Sequence, residues 1–148
     1  MKRQLMTFVA VCAIALSATS CLNATSCLNA TPPDNEEMLG LAGALTKVSA
    51  MVHTTVRYKK PPPDIADSSL LSLATSPNPK LLDRFNDYVL KARQSGGHSS
   101  VLLCDAQGET ALVEDAGCTS KSDIHLWETH PGHPCAYVLN LQDTCPAP

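Results

Sequence analysis

Residues 99–114 read SSVLLCDAQGETALVE, and the fold turns on how they are interpreted. Ser99–Cys104 and Thr110–Glu114 are short runs rich in β-branched and aliphatic residues, the composition that favours strands. Between them Asp105-Ala106-Gln107-Gly108 supplies the Asp and Gly of a tight hairpin connection. Downstream, Ile124–Thr129 (IHLWET) and Ala136–Leu141 (AYVLNL) can provide two further strands. Upstream the hydrophobic period is three to four rather than two, so helices come first. The sequence therefore predicts an α+β domain, with two or three helices followed by a small antiparallel sheet of three or four strands.

The first helix has the clearest signature. Asp34 stands at an N-cap position with Glu37 three residues on, the pattern of a capping box, and acidic residues suit the positive end of a helix. Met38, Leu41, Leu45, Val48 and Val52 then form one apolar stripe. Such a stripe serves core packing or a partner face; at under three heptads it is short for a coiled coil. Arg57, Lys59 and Lys60 suit the far end, and Pro61-Pro62-Pro63 stops the helix. Asp64–Thr75 reads as a loop with a short helix through Leu70, Leu71 and Leu73. A further helix is expected from Asn78 as N-cap and Pro79 at the first position, with Leu81, Leu82, Phe85, Val89 and Ala92 on one side and Gly96-Gly97 at its end.

Seven cysteines fall into two groups, Cys12, Cys21 and Cys27 near the N terminus and Cys104, Cys118, Cys135 and Cys145 in the last third. The even set of four predicts two disulfides and an oxidising compartment. None belongs to a CxxC pair, which argues against a redox motif or a zinc knuckle. Four cysteines allow three pairings, and nothing in the spacing selects one.

The N-terminal segment agrees with that compartment. Met1-Lys2-Arg3 is a short basic region, Leu5–Leu16 is an uncharged apolar run, and Ser17-Ala18-Thr19-Ser20 are small. This is the layout of a secretory signal peptide, and the run is shorter than the roughly 20 residues of a membrane span. Two export routes fit it: plain cleavage after Ser17 or Ser20, or processing at Cys21. In the second, Ser17-Ala18-Thr19-Ser20-Cys21 resembles the lipobox of bacterial lipoproteins, with Ala18 where leucine is commonest. That resemblance implies a diacylated Cys21 at a new N terminus, and Leu22 rather than aspartate after it resembles lipoproteins passed to the outer membrane. The unit ATSCLN is written twice, so Cys27 repeats Cys21 within what reads as a tether. Asn23-Ala24-Thr25 and Asn29-Ala30-Thr31 also match the N-glycosylation pattern, the mark of a secreted glycoprotein instead. The expected organisation is a signal peptide over 1–20, a tether over 21–33 and one α+β domain over 34–148.

Candidate chemistry concentrates in residues 125–135, HLWETHPGHPC. His125, His130 and His133 offer imidazoles to zinc, copper or nickel, although their spacing matches no established metal signature. The competing interpretation is a polar loop between strands, with no cofactor. His98, Ser99 and Ser100 are adjacent, but strand neighbours point to opposite faces, and no serine lies in a GxSxG or SxxK motif. Asp105, Glu109, Glu114 and Asp115 form an acidic cluster whose default role is surface solvation. A net charge of −3 gives no basic footprint for nucleic acid. Together these features predict an exported, lipid-anchored binding protein without catalytic activity: an envelope component, an inhibitor or an immunity-type partner of another protein. The alternatives are a periplasmic metal-binding protein using the histidine loop, and a secreted enzyme whose residues converge only in three dimensions.

Overall fold

In the computed structural model, residues 34–118 and 123–145 are described; the expected signal peptide, the tether and Cys21 lie outside them. The element order is α1 (Asn35–Lys59), α2 (Asp67–Thr75), a 3-10 helix (Pro79–Phe85), β1 (Val89–Ser95), β2 (His98–Cys104), β3 (Ala111–Asp115), β4 (Asp123–His125), α3 (Leu126–Thr129) and α4 (Leu141–Thr144). The four strands form one antiparallel sheet in the order β1-β2-β3-β4. This is the expected α+β architecture, with helices leading and an antiparallel sheet following.

One expected helix is different. The chain from Pro79 is helical only to Phe85, and as a 3-10 turn, because Val89–Ser95 pairs along its whole length with His98–Cys104. Gly96 and Gly97 do not end a helix. With φ of 58° and 83° they form the two-residue turn of the β1–β2 hairpin, a geometry that needs positive φ at both central positions. The β2–β3 connection matches its sequence signature: the Gly108 amide donates to Asp105 O at 2.9 Å, and the Glu109 amide donates to Asp105 Oδ1 at 2.8 Å.

Helix α1 buries all of Met38, Leu41, Leu45, Val48 and Val52, so its stripe is a core face. These side chains meet Leu70, Leu71 and Ala74 of α2, Phe85, and Val101, Leu103 and Val113 of the sheet. The capping expectation is not met as written, since Asp34 occupies the N-cap position without a side-chain capping bond and Glu37 instead accepts from the Tyr88 hydroxyl at 3.1 Å. Gly117, at φ 67°, marks where β3 leaves the sheet beneath α1. A Cβ there would stand 2.3 Å from Ser49 O, so only glycine permits the approach.

Strand β2 is buried at all seven positions. Val101 and Leu103 enter the helical core, while Leu102 and Cys104 join Ala111 and Leu126 in a second cluster against Cys135 and Tyr137. Residues 133–145 cover that second face. The sequence predicts a strand over Ala136–Leu141 there, but residues 136–140 form no regular element and Leu141 begins α4. Likewise, only Ile124 and His125 of the expected IHLWET strand lie in β4, and Leu126 starts α3.

Candidate functional site

Beyond one backbone bridge at its start, the covering segment is held by side chains rather than by a ladder. Glu114, on β3, is fully buried. Its Oε2 accepts the backbone amides of Val138 at 2.6 Å and Leu139 at 3.0 Å, and its Oε1 accepts from Arg93 Nη2 at 3.3 Å. Arg93, on β1, also donates to Ser100 Oγ at 3.0 Å and to Leu139 O, and its guanidinium lies 4.2 Å from the centre of the Tyr137 ring. Lys91 Nζ donates to Cys135 O at 3.2 Å. Burial, reinforced by the negative field of Asp67 and opposed by Arg93, pushes the Tyr137 phenol well above its ordinary value.

At the start of the segment the Ala111 amide donates to His133 O and the Cys135 amide to Glu109 O, bridging β3 to the histidine-bearing turn. Covalent bonds complete the attachment. Cys104 is joined to Cys135 with Cα atoms 5.7 Å apart, and Cys118 to Cys145 at 5.6 Å. Of the three possible pairings this is the interlaced one. Residues 133–145 thus form a strap across the sheet, bonded at both ends and clamped in the middle by Glu114 and Arg93.

The acidic cluster therefore does not behave as one surface feature. Glu114 and Asp115 are buried, and Asp115 Oδ1 accepts the Gly117 amide at 2.7 Å. Asp105 sits in the hairpin turn: burial would raise its carboxyl, but the amides of Glu109, Thr110 and Gly108 outweigh that and hold it below the usual range. Only Glu109 of the four is an exposed carboxylate.

The three candidate metal ligands take separate roles. His125 Nε2 is 3.0 Å from Asp123 Oδ2, its Nδ1 is 3.5 Å from Glu128 Oε2, and its ring stacks on Trp127 at 4.3 Å. His130 Nδ1 lies 3.0 Å from Thr129 Oγ1. His133 Nδ1 donates to Pro134 O at 2.7 Å, with its ring edge-on to His130 at 6.4 Å. Among the described residues, no group of three or more His, Cys, Asp or Glu side chains is placed to hold a metal ion.

A second histidine pair escaped the sequence reading. His53 on α1 stacks with His98 at the start of β2, with ring centres 6.2 Å apart, and neither Nδ1 has a hydrogen-bond partner among the described residues. Burial first, then the nearby His98 and Arg57, holds the His53 imidazole below its ordinary value. No local signal reveals this pair, since the two residues are 45 positions apart on different elements. Ser99, next to His98, is buried with an unpartnered hydroxyl, whereas Ser100 is engaged by Arg93.

Comparison with known proteins leaves these features to speak for themselves: no family model, no curated protein and no solved structure matches the chain.

Proposed function

We propose that the chain is an exported binding protein without catalytic activity, anchored to a membrane through lipid on Cys21, with its α+β domain in an oxidising envelope compartment. The observation that carries this reading is the interlaced pair of disulfides. Bonds of this kind persist outside the reducing cytosol and are rare within it. The signal-like segment over 1–20 and the lipobox-like Ser17–Cys21 supply the route and the anchor, and Leu22 favours the outer membrane over the inner. No helix among the described residues is long and apolar enough to cross a membrane; in this reading the lipid on Cys21 supplies the attachment. A binding role fits a domain whose buried acid and partly buried arginine serve its own strap. The partner classes are an envelope component, a target to be inhibited, or a toxin to be neutralised.

The test is incorporation of labelled palmitate into the full chain in a bacterial host. The label should be lost, and the protein should leave the membrane fraction, in Cys21→Ala but not in Cys27→Ala. Labelling that survives Cys21→Ala overturns the anchor. Alkylation before and after reduction should show Cys104, Cys118, Cys135 and Cys145 blocked in the native protein. Free thiols at these positions would remove the case for export.

A further inference from the structure

A cleft of about 440 Å³ opens between the last turn of α1, the proline run that follows it and the β1–β2 turn. That is within the usual range of small-molecule sites, roughly 300–1,000 Å³. Val56, Pro61 and Pro63 give it an apolar lining. Arg57 and Lys60 are the only charged lining residues, and both are cations. Both are exposed, and neither has a carboxylate within salt-bridge distance among the described residues. Carbonyl oxygens at a helix C terminus would ordinarily repel an anion. Here Arg57 and Lys60 set two cations beside those carbonyls, and Pro61 O and Pro62 O, which follow the helix, accept from the Gln94 amide at 3.4 and 2.6 Å.

A second observation bears on Lys60 itself. It caps α1 in the left-handed region, at φ 49° and ψ 56°, and is the only non-glycine residue with positive φ among those described. Glycine would occupy this position with less strain. A lysine there bears a backbone cost of about 1 kcal/mol, and it lines the cleft. Gly96 and Gly97 leave the opposite wall without side chains, and a Cβ added to either would meet nothing within 4 Å.

We propose that this cleft binds a small amphipathic anion, with a carboxylate or phosphate head held by Arg57 and Lys60 and a short apolar body lying against Val56, Pro61 and Pro63. The inference gives a ligand class to the binding role proposed above and rests on that role. It does not depend on the lipid anchor, so palmitate labelling and ligand titration can fail separately.

The experiment is an amide chemical-shift titration of the disulfide-intact protein with octanoate, octyl phosphate, octylamine and acetate. Octanoate or octyl phosphate should produce saturable shifts centred on residues 56–60 and 94–97, and the tighter of the two identifies the head group. Octylamine and acetate should produce none. Arg57→Gln combined with Lys60→Gln should weaken binding about tenfold or more, the loss expected when charged hydrogen bonds of this kind are removed. Lys59→Gln, which alters a neighbouring exposed cation outside the lining, should bind as the parent does. Both variants change exposed side chains, and an unaltered spectrum without ligand verifies the fold. Absence of saturable shifts overturns the proposal. So does octylamine binding as tightly as octanoate, acetate reproducing the octanoate shifts, or full affinity in the double variant.

Discussion

The two faces of the sheet are covered by different physics. On one, α1 and α2 bury aliphatic side chains against Val101, Leu103 and Val113, and attachment comes from non-directional burial. On the other, a strap without ladder pairing along 136–140 is held by two disulfides, a buried carboxylate and an arginine shared between a hydroxyl, a carbonyl and an aromatic ring. The helical cover tolerates small shifts because many contacts share the load. The strap depends on a few groups, each of which must be present and correctly charged.

The contrast can be broken most sharply at Glu114. Replacing it with alanine leaves two backbone amides without an acceptor and Arg93 without its carboxylate, and should cost about 3–5 kcal/mol in urea unfolding. Glu114→Gln, which keeps one acceptor oxygen, should lose less. A cost for the alanine variant below about 1 kcal/mol would mean that the strap needs no clamp. Next comes the covalent attachment. Cys104→Ala with Cys135→Ala opens a link spanning 31 residues, worth about 3.5 kcal/mol by the loop-entropy estimate. Removing Cys118–Cys145, spanning 27, should cost nearly as much.

On the helical face, Leu45→Ala creates a cavity at a fully buried site and should cost about 3 kcal/mol. That loss should be the same whether or not the disulfides are intact. The Glu114→Ala loss should instead change when Cys104–Cys135 is absent, because both secure one segment. Equal coupling at Leu45 and Glu114 would dissolve the distinction between the faces.

The smallest expected effect is at the His53–His98 stack. A histidine whose folded pKa lies below its unfolded value of 6.5 binds fewer protons when folded. Stability from His53 is therefore fully present above that value and declines as pH falls through the lowered folded pKa. Urea midpoints should drop between about pH 7 and about pH 5, and His53→Gln should flatten that decline. A profile unchanged by the substitution would show that the stack makes no contribution to it.

The same contrast explains what the sequence could convey. The helical face was legible because Met38, Leu41, Leu45, Val48 and Val52 carry its periodicity locally. Strand β1 was misread because Val89 and Ala92 continue the spacing of Leu81, Leu82 and Phe85 by coincidence; pairing with β2 settled their conformation. Gly96-Gly97 suits a helix stop and a hairpin turn alike, so its neighbours decide. The strap was least legible. Tyr137, Val138 and Leu139 have strand-like composition, yet the backbone of Val138 and Leu139 bonds to the side chains of Glu114 and Arg93, and no local period records such contacts. Glu114 in particular reads as a surface acid until the segment it binds is placed over it. The histidine loop illustrates the converse, since residues close in sequence direct their ring nitrogens to separate partners.

The crossing order of the cysteines has a consequence for durability in a protease-rich environment. Cys104 and Cys118 precede the stretch 119–134, and their mates Cys135 and Cys145 follow it. A single peptide-bond cut anywhere within that stretch yields two fragments stitched together twice. Neither can depart without breaking both sulfur links, so a nicked molecule would keep its mass and migrate as two pieces only after reduction.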